Sequence, residues 1–218
     1  MVIFDCNGVL VDSESIASAV LAEAFASVGL AMTPAFVARR FHGRRAADIF
    51  ATVEAATGKK LPSDFAADVA EQTLRRVRAD LRPVPHAIRA LTWVRGPKAA
   101  ASSSPLDRIR TSLDITGLLG FFAQRLFSAC DMPRGKPAPD LFLHAAAHEG
   151  FEPKKCIVVE DSAVGVSAAA AAGMMPIGFV GGSDTPGRLA RELAGAGARA
   201  VIADLRALHT TILDLRGW

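Results

Sequence analysis

A chain of 218 residues that is 50% hydrophobic, 22% charged and 6% aromatic carries enough apolar surface for a packed core, which excludes a disordered polypeptide. No stretch of about twenty apolar residues runs without a charge, excluding a membrane-spanning helix, and Met1 leads straight into Val2-Ile3-Phe4-Asp5 with neither the basic n-region nor the cleavage site of a secretory signal. The net charge of +3 is small, and the basic clusters Arg39-Arg40-Arg44-Arg45 and Arg75-Arg76-Arg78 lack interleaved aromatic residues, so they read as solvated helix faces and not as a nucleic-acid surface.

Val2-Ile3-Phe4 is the first short apolar run and predicts a buried strand ending at Asp5. From Asp12 to about Asp80 no strand signal follows. Apolar residues recur there at helical spacing, as in Val20, Ala24, Phe25 and Val28, then Phe65, Val69 and Leu74. Gly29, Thr33-Pro34, Gly43, Gly58 and Pro62-Ser63 divide the segment into about four helices. A helical insertion over 13–80 is expected, joined to a core of 1–12 and 81–218 by two short crossings that permit hinge motion. Beyond it, helices near 85–94, 105–115, 137–149, 163–173, 186–195 and 205–215 alternate with strands at Lys98–Ala101, Leu126-Phe127, Cys156–Val159, Ile177–Val180 and Val201-Ile202. Continuous apolar runs alternating with helices predict a doubly wound α/β fold around a parallel sheet.

Ligands of such sheets bind beyond the carboxyl ends of the strands. Asp5 ends the first strand, Ser102-Ser103-Ser104-Pro105 follows the second, Glu160-Asp161 ends the strand at 156–159, and Lys136 precedes a helix. Three clustered carboxylates repel one another, and Lys136 relieves one charge while a hard divalent cation such as magnesium relieves two. With Ser104 as N-cap and Pro105 as the first helical residue, free backbone N–H groups would face the same corner, which suits an anion. A carboxylate, a cation, a lysine and a helix start together fit phosphoryl transfer.

Four segments extend this. Phe4-Asp5-Cys6-Asn7-Gly8-Val9-Leu10-Val11-Asp12-Ser13-Glu14, Ala101-Ser102-Ser103-Ser104, Gly135-Lys136-Pro137-Ala138-Pro139-Asp140 and Val159-Glu160-Asp161-Ser162 are similar, in order and spacing, to the four motifs of the haloacid dehalogenase superfamily. The insertion resembles the helical cap of its β-phosphoglucomutase-like branch. The resemblance implies a Rossmann-like core with Asp5 as the nucleophile that forms an aspartyl-phosphate, and Ser102 and Lys136 holding the phosphoryl group. It implies Mg2+ bound by Asp5, the Asn7 carbonyl and Asp161, with Glu160 contributing directly or through water. Ser103, and His42, Arg44 and Arg45 of the cap loop, are candidate substrate ligands.

Position 7 departs from the family, whose phosphatases and mutases carry there a second aspartate acting as general acid and base. Asn7 donates hydrogen bonds but exchanges no proton near neutrality. An introduced change that traps ligand, a natural chain with slow turnover or another acid, and a binding protein without turnover all remain open; the intact surrounding motifs favour the first. The mutase's gating histidine aligns with Ala17 and its cap arginine with Ala46, so hydrolysis of a small phosphorylated metabolite, a sugar or polyol phosphate, is favoured over a phosphosugar mutase.

Other signals are weaker. His144 and His148 lie four apart but lack the glutamate of a zinc helix. Asp12, Ser13 and Glu14 fit the start of a cap helix, with Ser13 as N-cap, as well as a site role, and Asp140 serves either Lys136 or its own helix start. Cys6, Cys130 and Cys156 are far apart without a CxxC, which fits a reducing cytoplasm. Expected partners are a small phosphorylated metabolite, no nucleic acid and no membrane, with the chain a monomer or at most a weak dimer.

Overall fold

The computed structural model describes residues 1–183 and 185–217. Six parallel strands form one sheet: β1 (Val2–Phe4), β2 (Lys98–Ser102), β3 (Leu126–Ser128), β4 (Ile157–Glu160), β5 (Met175–Phe179) and β6 (Ala200–Ile202), in the order β3-β2-β1-β4-β5-β6. The apolar runs are continuous because both faces are covered. Val2, Phe4, Ala100, Val159 and Ile177 enter one core, while Ile3, Ala99, Ala101 and Val158 enter another on the opposite face.

Helices α5 (Ala87–Trp93), α6 (Leu106–Ile115) and α10 (Leu208–Arg216) cover the first face, and α7 (Asp140–His148) and α8 (Ala163–Ala171) the second. The alanine run of α8 lets that helix pack close; a Cβ on its Gly165 would lie 2.0 Å from the Glu160 carboxylate. Helix α9 (Pro186–Gly195) packs Leu193 against Val166 and Val180. Among the described residues no helix is long and apolar enough to cross a membrane.

Four helices stand between β1 and β2: α1 (Glu14–Ser27), α2 (Pro34–Phe41), α3 (Ala46–Thr57) and α4 (Phe65–Asp80). They share an apolar cluster of their own around Val20, Phe25, Val37, Phe41, Ile49, Val53, Phe65 and Val69. The Phe50 ring sits 5.2 Å from Phe65 and 6.3 Å from Phe25. The two crossings bond to each other, through Asp12 N–H to the Arg82 carbonyl and Val84 N–H to the Leu10 carbonyl, both at 2.9 Å.

Two N-cap expectations change. Helix α6 begins at Leu106 with Pro105 in the cap position, so Ser104 lies one residue outside it. Ser13 does precede α1, but its hydroxyl makes no capping bond. Both hydroxyls turn instead toward Asn7, whose half-buried amide offers donors and an acceptor.

Candidate active site

The chain leaves β1 toward β2 on one side and leaves β4 toward β5 on the other, so the crevice between the ends of β1 and β4 is the topological switch point. Register aligns Phe4 with Val159, which sets Asp5 beside Glu160. Lys136 reaches between them: its Nζ donates to Asp5 Oδ1 at 2.5 Å and to Glu160 Oε1. All three side chains are buried. Burial raises the Asp5 pKa, with Lys136 opposing. Burial lowers that of Lys136, but the two carboxylates outweigh it and hold the ammonium protonated.

Both oxygens of Glu160 have partners. Its second oxygen accepts from the Ser162 N–H at 3.2 Å and the Ser162 hydroxyl at 2.9 Å. In this structure Glu160 anchors Lys136 and the start of α8, behind the residues that line the cavity in front of Asp5.

That cavity, of about 290 Å³, lies between the strand ends and the four-helix insertion. Asp5, Asn7 and Asp161 form its floor. Asn7 Nδ2 donates to Ser104 Oγ at 2.9 Å and Ser102 Oγ at 3.3 Å, while its Oδ1 accepts from the Ser13 hydroxyl at 3.0 Å. Asp161 lies against the backbone of residue 8; a Cβ on Gly8 would fall 1.7 Å from Asp161 Oδ2, and Gly8 has φ +74°. Gly8→Ala is expected to cost about 1–3 kcal/mol through backbone strain alone and to push Asp161 off the floor, which urea unfolding and a magnesium titration would register.

This cradle tests the magnesium expectation. Among the described residues no three His, Cys, Asp or Glu side chains are already arranged to hold a metal ion. Magnesium needs only one or two carboxylates and retains waters. Asp5 and Asp161 are hard oxygen donors on one floor with Asn7, and such a donor set fits that ion.

The insertion supplies the roof. His42 Nε2 lies 3.0 Å from Asp161 Oδ2 and 3.7 Å from Glu14 Oε2. Burial pulls the imidazole pKa down, but Asp161 and Glu14 push it up to about 10. Burial raises Glu14, with His42 opposing. Ser103 Oγ donates to the Gly43 carbonyl at 2.8 Å, so this candidate ligand ties β2 to the insertion. A Cβ on Gly43 would meet Ser162 Oγ at 2.3 Å, so the loop packs closely on the core.

Arg44 lines the cavity, half-buried. Arg45 also borders it, with its guanidinium well occupied: Nε and Nη2 pair with Asp48 at 2.8 Å, and Nη1 donates to the carbonyls of Ala129 at 3.1 Å and Met132 at 2.9 Å. In this structure Arg45 bridges the insertion and the core from the cavity wall.

Sequence reasoning passed over Arg108, on the first turn of α6, which lines the same cavity. The available signal was its position just after the serine run. Asp140 pairs with Arg134 at 2.9 Å and not with Lys136. His144 and His148 are exposed and lie edge-on to Phe127, at 5.8 Å and 5.3 Å between ring centroids. Cys6 is buried in the first core.

With this geometry in view, the profile of haloacid dehalogenase-like hydrolases matches residues 1–173. The chain belongs to that family. Among haloacid dehalogenase-like proteins, 6-phosphogluconate phosphatase of Escherichia coli (strain K12) is 32% identical over 174 residues, 79% of each chain. Hexitol phosphatase A of the same organism is 30% identical over 192 residues, 84% of each. The solved haloacid dehalogenase-like protein ATU0790 of Agrobacterium tumefaciens superposes with a TM-score of 0.82 at 34% identity, covering 99% of this chain and 98% of that one.

Proposed function

We propose that this hydrolase is a magnesium-dependent phosphatase of a small sugar or polyol phosphate, acting through an aspartyl-phosphate on Asp5, with residues 13–80 as the cap over the leaving group. The observation that carries the reading is the buried Lys136, which pairs with Asp5 on the floor of a metabolite-sized cavity. The curated relatives act on sugar and polyol phosphates, which supports the substrate class. Ala17 lines the cavity where the resembling mutases place a histidine, which favours water over a sugar hydroxyl as acceptor.

A carboxylate oxygen of Asp5 attacks phosphorus, and the bond from phosphorus to the leaving oxygen breaks. Lys136 and Ser102 hold the phosphoryl oxygens while negative charge spreads over them. Magnesium, held by Asp5, Asp161 and the Asn7 carbonyl, would supply further neutralisation of that charge. The leaving oxygen needs a proton, and water must later lose one as it attacks the aspartyl-phosphate. Asn7 can orient either oxygen with its N–H groups, but it moves no proton.

This imbalance gives the test. An aryl phosphate has a leaving group that departs without protonation, so the first half-reaction bypasses Asn7 while the second stalls. The protein is expected to release a burst of about one phenolate per site and then nearly stop. Mass spectrometry should find the phosphoryl group on the peptide carrying Asp5, and chelation of magnesium should abolish the burst. Absence of both burst and phosphopeptide in the presence of magnesium would refute the reading.

A further inference from the structure

We infer that Arg108 is a specificity-determining residue that binds a carboxylate on the leaving group, so that the substrate is a phosphorylated sugar acid. This rests on the phosphatase reading and narrows it. Arg108 borders the cavity whose floor holds Asp5, and a cavity of about 290 Å³ lets one small metabolite touch both. Its Nε is buried and has no hydrogen-bond partner among the described residues. A guanidinium nitrogen that no neighbour pairs marks a side chain whose hydrogen-bonding capacity the fold has left unused.

The neighbours leave Arg108 free. Glu14 is the foremost carboxylate raising its pKa, against a larger lowering by burial, but the ion pair of Glu14 is with His42. Arg45, by contrast, is paired with Asp48 and two carbonyls. The same cavity is also lined by Leu21, Val37 and Val69, which cannot bind an anion. Helix α6 carries Ile109 and Leu113 into the first core, so the arginine stands on a rigid element.

A carboxylate is the anion that fits. It accepts two parallel bonds from the guanidinium fork and carries one charge, which one arginine balances. A second phosphate would bring about two charges into a chamber that already holds Glu14 and Asp161. The site therefore has a phosphoryl end at Asp5 and a carboxylate end at Arg108.

Because Asn7 slows turnover of a sugar phosphate, the protein can be titrated calorimetrically with magnesium and intact ligands. The matched pair is 6-phosphogluconate and sorbitol 6-phosphate, which differ only in a carboxylate for a hydroxymethyl at the end remote from phosphate. The sugar acid is expected to bind at least about tenfold tighter, the scale of a charge-assisted pair. R108Q should erase that preference and leave sorbitol 6-phosphate within about twofold of its original affinity. R108K, which keeps the charge but not the fork, should retain part of the preference; it also tests the inference should R108Q fail to fold. Equal binding of the two ligands in the unchanged protein, or equal weakening of both in the variants, overturns the role of Arg108 while leaving the phosphatase reading standing. A preference for fructose 1,6-bisphosphate over the sugar acid overturns the carboxylate assignment. Failure of every phosphorylated ligand to bind while the Asp5 burst is absent overturns the phosphatase reading itself.

Discussion

Asn7→Asp raises steady-state turnover of a sugar phosphate by about 10²–10⁴-fold, the usual contribution of a positioned general acid and base. The surroundings already suit a carboxylate. Asn7 sits among three hydroxyls, those of Ser13, Ser102 and Ser104, and each can rotate to donate to an oxygen at position 7. The substitution exchanges two N–H donors for acceptor capacity that the serines can meet, so the variant folds. Asp5 and Asp161 line the same floor, and like charges and burial lift the pKa of a new carboxyl toward the range useful for proton transfer. The gain should appear mainly in kcat, because the proton is needed only in the transition state. With an aryl phosphate the initial burst should keep its size while the stalled second phase speeds up. If the aspartate form turns over no faster, yet ligand binds equally well to both, a binding protein becomes the better description.

Lys136→Met has the largest expected effect on stability, a loss of about 3–5 kcal/mol, because it strands buried carboxylates. Glu160 is 0% exposed and Asp5 5% exposed, and both lean on the same ammonium. The Lys136 ammonium also lies 5.3 Å from the Phe142 ring centroid, a weaker cation–π attraction that the substitution removes as well. The sign of the pH dependence follows from the missing partner. Without Lys136, burial raises the folded-state pKa of the carboxyl pair above the unfolded value of about 4. The folded variant then binds more protons than the unfolded chain between those two values, so its stability falls as pH rises through that window and recovers on acidification. Urea unfolding at pH 5 and pH 8 should show the variant relatively less destabilised at pH 5. An equal loss at both values would mean that Glu160 and Asp5 keep other partners.

The doubly wound fold was legible because Val2-Ile3-Phe4 and Cys156–Val159 are apolar at every position, as a strand covered on both faces must be. That Asp5, Ser102, Lys136 and Asp161 come together was legible because a parallel sheet delivers its strand ends to one edge. The roles of Arg45, Glu160 and Arg108 were not, since three charged side chains near one edge look alike in one dimension. Arg45 and Glu160 acquire structural partners in the folded chain, Asp48 for the one and Ser162 with Lys136 for the other. Arg108 stayed open because its neighbour Glu14 turned to His42.

The amino-acid order alone determined the alternation of strands and helices, the place of the helical segment between the first two strands, and the absence of a titratable side chain at position 7. Each of these depends on residue type and local spacing, which the chain carries without folding. Only the folded chain decided which charges are spent on one another and which still face the cavity, because that depends on distances between residues as far apart as Asp5 and Lys136, or His42 and Asp161. Burial then multiplies the consequence: an ionised group shut away from water either finds a partner within reach or stands ready for one.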